Sequence, residues 1–190
     1  MKVSREKAAE NRARIVDTAS ALLREHGFDG IGVADLMRAA GLTHGGFYGH
    51  FASKDELAAE ACGQALARSA GTWAALAERD GVDGFATLVD RYLAVSHRDG
   101  PGRGCVLASL GMEGPRQSPT VRQSLAAGMR ALLDALGRLV PGRTATMRRH
   151  RALAALSAMT GAVMLSRLAD DPQLSKDVLD AVAAELKAWR

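Results

Sequence analysis

The most informative part of the chain is residues 41–57, which read GLTHGGFYGHFASKDEL. The stretch begins with a glycine-containing turn, which follows residues 33–40, where apolar side chains recur at helical spacing. Thr43 offers a hydroxyl that can cap a short helix over residues 44–50, and Ser53 can cap another helix behind it. Two short helices joined by a tight turn are typical of a helix-turn-helix, so the pattern predicts that motif here.

Helical patterns also fill the rest of the chain. Residues 5–26 carry an apolar stripe, made of Ile15, Ala19, Leu22 and Leu23. Residues 54–79 form one long pattern that can lead from the short motif into the remainder. Further helices are predicted over residues 84–97, 105–112, 118–140, 143–169 and 173–189. We therefore expect an all-α protein of about nine helices, with a three-helix domain over residues 1–53 and a larger helical domain over residues 54–190.

Composition sets broad limits on function. The chain has 190 residues, of which 47% are hydrophobic and 24% charged, as in ordinary globular domains. No apolar run reaches the ~20 residues that span a bilayer, and the N-terminus lacks the apolar core of a signal peptide, so we expect a cytoplasmic protein without membrane contact. Two cysteines and no metal-ligand spacing give no reason to expect a metal or a cofactor. The net charge of +4 permits nucleic-acid binding without establishing it, because only the first 14 residues are clearly basic.

The predicted helix over residues 44–50 has an unusual composition for a helix. It opens with His44, Gly45 and Gly46, although two glycines cost roughly 2 kcal/mol of helix propensity relative to alanine. Small residues let a backbone approach another surface closely, and the base edges of a DNA major groove are such a surface. The polar side chains that follow suit contacts to phosphate oxygens, and they are Tyr48, His50 and Lys54.

Residues 10–57 resemble the signature of the TetR/AcrR family of transcriptional repressors. The resemblance rests on the small residues of the third helix, the Tyr48-x-x-Phe51 pair and the Ser53-Lys54 entry to the next helix. It implies a nine-helix homodimer with a DNA-binding head and a ligand-binding body. It also implies base contacts by Thr43, His44, Gly45 and Gly46, and phosphate contacts by Tyr48, His50 and Lys54. One departure is Ile31-Gly32-Val33, because many relatives carry a Ser or Thr before the second helix.

A second resemblance concerns the larger domain. Residues 102–107, followed by Met112-Glu113 and Ser118-Pro119, look like a subgroup of that family that includes the repressor of N-ethylmaleimide reductase. Some members of the subgroup sense electrophiles or oxidants through a cysteine. A thiol in the first turn of a helix beside Arg103 can lose its proton more easily, so Cys105 is a candidate sensor. The alternative is that Cys105 is a small buried apolar residue, which is what we expect of Cys62.

The larger domain offers two further sets of candidates. The first set consists of large apolar or aromatic residues that either line a small-molecule pocket or belong to the core, together with Cys105. They are Trp73, Phe85, Leu88, Tyr92, Leu110, Met112, Met129 and Met159. No charged or polar set points to one ligand class. The last two helices each carry an apolar stripe, which in this family pairs with its copy across a two-fold axis. The dimer candidates are Leu153, Leu156, Thr160, Val163, Arg167, Val178, Val182, Leu186 and Trp189.

The predicted function is therefore a DNA-binding transcriptional regulator. We expect a repressor that leaves a palindromic double-stranded operator when a small-molecule inducer binds, or when an electrophile or oxidant reacts with Cys105. A helical scaffold without DNA binding is the alternative. An enzyme fits less well, because the sequence has no nucleophile elbow, phosphate loop or zinc pair. Activation rather than repression stays open, since both use the same DNA contacts.

Overall fold

The computed structural model describes residues 5–79 and 83–189. Within these ranges the chain forms nine α-helices, three short 3-10 helices and no strand, so the predicted all-α class is confirmed. The α-helices are α1 Arg5–His26, α2 Val33–Ala39, α3 Lys54–Ala77, α4 Gly84–Tyr92, α5 Val95–Asp99, α6 Val106–Leu110, α7 Pro119–Leu139, α8 Ala145–Leu168 and α9 Pro172–Lys187. The 3-10 helices are His44–Gly49, Pro101–Arg103 and Gly114–Arg116. The first four residues of the predicted basic N-terminus lie outside the described ranges.

The N-terminal unit, which we call the head (residues 5–53), is built on the predicted stripe of α1. One core holds buried side chains of α1, of α2, and of the segment His44–Gly49 with the residues after it, namely Ile15, Val16, Ala19, Leu23, Leu36, Met37, Phe47 and Phe51. Gly27 ends α1 at a φ of +79°, and its N–H donates to the carbonyl of Leu23 at 2.8 Å. Gly41 forms the turn after α2 at a φ of +69°. Both positions need the left-handed backbone that glycine adopts without strain.

The remainder, which we call the body (residues 54–79 and 83–189), is organised by the pairing of α3 with α7. This pairing is the most extensive between two helices of the described chain. It depends on a close approach at Gly128, where a Cβ atom would lie 2.3 Å from Cδ1 of Leu66. Around it, α8 packs on α7 and α9, and α4 packs on α3 and α9. Because α1 packs on α3, the head rests against the first helix of the body. None of the described helices is both long enough and apolar enough to cross a membrane.

The helix ends follow the predictions in part. The Oγ of Ser53 accepts the N–H of Glu56 at 3.1 Å, which is the predicted cap of α3. Thr43 precedes the segment His44–Gly49, but its hydroxyl makes no capping bond, so that prediction is wrong. The helix predicted over residues 84–97 is divided into α4 and α5. At the break, the carbonyl of Tyr92 accepts a bond from a histidine ring instead of a backbone N–H.

Candidate nucleic-acid interface and candidate ligand cavity

The segment His44–Gly49, which we call the recognition segment, lies on the surface of the head after the turn at Gly41. It is a 3-10 helix rather than the predicted α-helix, since the N–H of Gly46 donates to the carbonyl of Thr43 at 3.0 Å. Glycines at its start lower the propensity for a regular α-helix, and short 3-10 stretches are common at such connections. Two buried rings, Phe47 and Phe51, anchor the segment from below, with their centroids 5.8 Å apart.

The glycines of the recognition segment are not required by the packing of the protein. A Cβ atom at Gly45 or Gly49 would have no neighbour within 4 Å, and one at Gly46 would make only ordinary contacts at 3.7 Å. None of the three has a positive φ. The fold therefore has room for side chains at these positions. Their absence keeps the backbone open to a surface that approaches from outside.

The predicted DNA-contact residues all reach the surface around this backbone. The exposed ones are Thr43, His44, Gly45 and Tyr48, and the half-buried ones are Gly46, His50 and Lys54. Tyr48 is 69% exposed, and its ring meets that of Phe47 edge-on with centroids 5.2 Å apart. Lys54 donates from Nζ to the carbonyl of Phe28 at 2.5 Å. That bond uses one of three ammonium donors, so Lys54 is held against the end of α1 with donors left for an anion.

A cavity of about 380 Å³ lies in the body between α3, α4 and the residues that follow α5. Trp73 and Tyr92 contribute aromatic rings to its wall, in an edge-to-face arrangement with centroids 5.9 Å apart. The lining residues are Ser69, Thr72, Trp73, Leu76, Leu88, Arg91, Tyr92, Ser96, His97, Gly100, Arg103, Gly104 and Cys105. Both the volume and the mixture of apolar and polar groups are typical of a site for a small molecule.

Three of these residues form a hydrogen-bonded cluster in the cavity wall. His97 donates from Nδ1 to the carbonyl of Tyr92 at 2.5 Å, and its Nε2 accepts the N–H of Cys105 at 2.8 Å. Burial, with Arg167 nearby, lowers the pKa of His97, so the ring is neutral and carries its proton on Nδ1. Burial also raises the pKa of Tyr92 well above its ordinary value, and the neighbouring Cys105 raises it further. The hydroxyl of Tyr92 lies 3.2 Å from Oγ1 of Thr160.

The two thiols have different surroundings. Cys105 stands immediately before α6 rather than in its first turn. It is 6% exposed and is one of the residues that line the cavity. Cys62 lies inside α3, where burial raises the pKa of its thiol to about 12 and keeps it protonated.

The predicted pocket residues divide between the cavity, the core and the surface. The cavity is lined by Trp73, Leu88, Tyr92 and Cys105. The others lie elsewhere, because Phe85, Leu110 and Met159 are buried in the core, whereas Met112 and Met129 are exposed. Phe85 stacks on Trp189 with the ring centroids 5.9 Å apart, and Met112 is 70% exposed. Apolar character alone does not separate these three environments.

Residues 100–105, which we call the cavity loop, contribute Gly100, Arg103, Gly104 and Cys105 to the cavity wall and also contact the head. Arg24, in the last turn of α1, donates from Nη1 to the carbonyl of Gly104 at 3.0 Å and from Nη2 to that of Gly102 at 2.5 Å. Burial lowers the pKa of the Arg24 guanidinium, which nonetheless remains a cation at neutral pH. A displacement of the cavity loop therefore changes the position of two groups that hold the end of α1.

A second contact joins the same end of α1 to the turn after α6. The N–H of Phe28 donates to Oε2 of Glu113 at 2.9 Å. Gly27 makes room for this carboxylate, since a Cβ atom there would lie 2.8 Å from Oε1 of Glu113. Residues on both sides of α6 thus hold the C-terminal end of α1.

Two family profiles match the chain. Residues 15–61 match "Bacterial regulatory proteins, tetR family". Residues 81–182 match "Tetracyclin repressor-like, C-terminal domain". The chain belongs to the TetR family. It is a TetR-family transcriptional regulator, and such regulators are generally DNA-binding proteins rather than enzymes.

Solved structures of TetR-family regulators share the fold of this chain. NemR from E. coli in its reduced form is 19% identical, with a TM-score of 0.80 over 95% of this chain and 96% of its own. A regulator from Agrobacterium tumefaciens is 20% identical, with a TM-score of 0.77 over 94% and 96%. One from Chloroflexus aurantiacus is 25% identical, with a TM-score of 0.76 over 97% and 98%. A search of curated protein sequences finds no match.

The apolar stripe predicted for the dimer interface of this TetR-family chain lies mostly inside the protomer. The buried members are Leu156, Val163 and Leu186, the partly buried members are Thr160, Val178, Val182 and Trp189, and Leu153 is exposed. A side chain already buried in one protomer adds no area to a contact with a second copy. A neighbouring face of α8 exposes large apolar side chains, namely Met164, Leu165 and Leu168. Leu168 is 80% exposed.

Arg167, another dimer candidate, is also committed within the protomer. Its Nε donates to the carbonyl of Arg98 at 2.8 Å, its Nη2 to that of His97 at 3.1 Å, and its Nη1 to Oγ of Ser109 at 3.1 Å. These bonds hold α8 against α5 and α6. Its position in the apolar stripe therefore reflects a link between helices of one chain.

Sequence reasoning missed three arginines around the cavity. Arg91 and Arg103 line it, and Arg24 holds the cavity loop from the head. Arg24 and its partner Gly104 are far apart in sequence, so no local pattern relates them. The sequence relates Arg103 only to its neighbour Cys105. The spacing between Arg91 and Arg103 matches no known binding motif.

Proposed function

We propose that this TetR-family regulator represses transcription from a palindromic operator in the cytoplasm, binds it as a homodimer, and leaves it when a small molecule occupies the cavity. The observation that carries the proposal is the recognition segment. Its exposed backbone is open at Gly45 and Gly49 and is anchored by the buried rings of Phe47 and Phe51. An element of this shape fits the major groove. The division into a DNA-binding domain over residues 1–53 and a ligand-binding and dimerisation domain over residues 54–190 is part of the proposal.

The roles proposed for individual residues follow from their chemistry and exposure. Thr43, His44 and the backbone at Gly45 and Gly46 face bases, where short side chains allow a close approach. The phosphate contacts are assigned to donors at the edge of the recognition segment, namely Tyr48, His50 and Lys54. Phosphate contacts position the protein without reading sequence, whereas base contacts give specificity.

The homodimer is supported by the exposed apolar face of α8. Met164, Leu165 and Leu168 lie on adjacent turns of its C-terminal half, and Leu153 is exposed further along the helix. A cluster of exposed large apolar side chains marks a contact with another protein. A two-fold pairing of this face with its copy would present two recognition segments to half-sites one helical turn apart, roughly 34–36 Å.

The proposed release couples the cavity to the head through the cavity loop. A ligand that displaces residues 100–105 moves the carbonyl groups of Gly102 and Gly104, which Arg24 holds from the end of α1. A shift of α1 changes the distance between the two heads of the dimer, so that the dimer can no longer reach both half-sites. The ligand needs only to bind the displaced loop more tightly than the undisplaced one.

Reaction at Cys105 is a second proposed trigger at the same place. Cys105 lines the cavity and its N–H is bonded to His97, so an adduct on its thiol would push against the cavity loop. Cys105→Ser should leave DNA affinity unchanged and abolish release by N-ethylmaleimide. Release that persists in Cys105→Ser, measured by fluorescence anisotropy, would remove this trigger and leave the ligand-driven one intact.

The test of DNA binding uses labelled duplexes that tile the DNA flanking the regulator's own gene, with a random duplex for comparison. Tyr48→Ala and Lys54→Ala should weaken binding to all duplexes by a similar factor. His44→Ala should reduce binding to the preferred duplex by about 5- to 100-fold and the random duplex by little, because a base contact is worth about 1–3 kcal/mol. His150→Ala, exposed on α8 and remote from the head, is the matched control.

The alternative is a helical protein that does not bind DNA. It would be favoured if the wild-type protein bound every duplex alike and weakly at about 0.15 M salt. Equal losses on preferred and random DNA for His44→Ala would leave DNA binding in place but remove the base-reading role of that residue.

A further inference from the structure

We propose that the cavity binds an amphipathic organic anion, a carboxylate or a group of like charge on a flat apolar body. This inference rests on the proposed function, because it names the chemical class of the molecule that would release the DNA. It comes from two arginines and an aromatic wall that are distant in sequence and line one cavity in the fold. The arginines are Arg91 on α4 and Arg103 in the cavity loop.

The charge of the cavity wall is positive. Arg91 and Arg103 are its permanently charged residues, and no Asp or Glu lies among the lining residues that the structure describes. Within the described ranges, neither arginine makes an ion pair or a hydrogen bond through its side chain. Both are exposed, so their guanidinium groups remain hydrated and available. A guanidinium offers two parallel donors that match a carboxylate, and a site with two of them selects for an anion.

Two acidic residues around the cavity already have other partners. Asp99, which precedes the cavity loop, pairs with Arg98 at 2.7 Å. Asp17 on α1 pairs with Arg68 at 2.8 Å. Glu25 also lies beside the cavity loop, against Gly102, but its one ion pair within the described ranges is with His26 at 4.0 Å. None of these three carboxylates forms an ion pair with Arg91 or Arg103 in the described part of the chain.

Most other polar groups of the wall are used within the chain. Ser69 donates to the carbonyl of Ala65 at 3.1 Å, and Thr72 donates to that of Arg68 at 3.0 Å. His97 uses both ring nitrogens, as described above. A ligand with polar groups along its whole length would leave them unpaired in this part of the cavity, which is costly. An apolar body avoids that cost.

The remaining wall suits a flat apolar body. Trp73, Leu76, Leu88 and the ring of Tyr92 supply its apolar surface. A cavity of about 380 Å³ accommodates a body of one or two fused aromatic rings with a short acidic side chain. The ligand would place its rings against Trp73 and Tyr92 and its charge towards the two arginines.

The experiment compares three probes that share one naphthalene body and differ in charge: 1-naphthylacetate, 1-naphthylacetamide and 2-(1-naphthyl)ethylamine. Isothermal titration calorimetry on the full-length protein measures each affinity at pH 7.5. We expect the carboxylate to bind at least tenfold more tightly than the amide or the amine. Arg91→Gln and Arg103→Gln should each reduce that preference by about five- to tenfold. Arg138→Gln, exposed on α7, is the control, and Ser69→Trp, which fills the cavity, should block all binding.

The outcomes separate this inference from the proposed function. If the amide or the amine binds as tightly as the carboxylate, or if the preference survives in the Arg91→Gln, Arg103→Gln double variant, the anion assignment is wrong. Should such a probe still release the DNA, the proposed function stands without it. If no probe binds, the anion assignment is wrong and the proposed function stands without it. If Ser69→Trp binds the carboxylate like the wild type, the cavity is not its site, and both the anion assignment and the proposed release through the cavity fail.

Discussion

Replacing Arg24 by alanine tests the link between the cavity and the head. Its guanidinium joins the last turn of α1 to the cavity loop through the carbonyl groups of Gly102 and Gly104. Without it, the loop can move while α1 stays in place. We therefore expect two effects of Arg24→Ala, a loss of stability and a DNA affinity that no longer responds to a ligand in the cavity.

The size of the stability loss can be worked out from these contacts. A hydrogen bond from a charged donor contributes about 1.5–3 kcal/mol net, which gives an upper figure of about 6 kcal/mol for two. The native guanidinium has costs of its own, because it is partly buried and its Nε atom has no partner. A net loss of about 2–3 kcal/mol remains, which corresponds to roughly 5–10 °C in Tm for a chain of this size. Arg24→Lys should lose about half as much, since an ammonium lacks the planar fork that reaches two carbonyl groups.

The assay combines thermal unfolding, followed by circular dichroism, with fluorescence anisotropy on the preferred duplex. Protein concentration is held constant, because the Tm of a dimer depends on it. Arg14→Ala is the matched control, since Arg14 is exposed on the same helix and, among the residues that the structure describes, bonds only to Asn11, at 2.6 Å. A fall in Tm no larger than that of the control, or release by 1-naphthylacetate equal to that of the wild type, would refute the coupling through Arg24.

Three other predictions concern the interface, a buried histidine and the packing of α3 on α7. Leu168→Glu should shift sedimentation from dimer to monomer at micromolar concentration, whereas Met129→Glu, a similar change at an exposed position of α7, should not. A dimer in both variants would contradict the interface. Because the pKa of His97 is lowered, below about pH 6.5 the unfolded chain binds a proton that the folded chain does not, so the protein becomes less stable as the pH decreases in that window. The free energy of unfolding by urea should therefore differ less between pH 5.5 and pH 7.5 in His97→Gln than in the wild type, and an equal difference would contradict the buried neutral ring. Gly128→Ala places a Cβ atom 2.3 Å from Leu66 and should lower the free energy of unfolding by about 1–3 kcal/mol in the same urea measurement. An unchanged or raised stability would show that α3 and α7 can move apart to make room for the Cβ atom.

The parts of the fold that could be predicted are those with local signals. The bounds of α1 follow from its apolar stripe and from Gly27, and the start of α3 follows from the cap at Ser53. The turn before the recognition segment was predictable from Gly41, which adopts the expected positive φ. Each of these signals acts through neighbours within a few residues, so the sequence pattern contains the physical cause.

The missed features depend on contacts between distant residues. The break between α4 and α5 occurs because the ring of His97 bonds to the carbonyl of Tyr92, and helical periodicity does not report such a bond. The stripe that contains Val163 is largely buried within the protomer, and periodicity shows that a face is apolar without showing what covers it, so its place in a dimer interface stays a prediction. The arginines at the cavity were missed for the same reason, since Arg91 and Arg103 come together only in the folded chain.

The open glycines of the recognition segment bear on how such a regulator acquires new targets. Because Gly45 and Gly49 have space around them, many side chains can replace glycine there with little effect on folding. If Gly45 faces bases as proposed, variation there would alter the preferred DNA sequence while the rest of the head keeps its structure. Target choice and structural integrity are thus encoded at separate positions, so that duplicated genes can diverge in one without endangering the other.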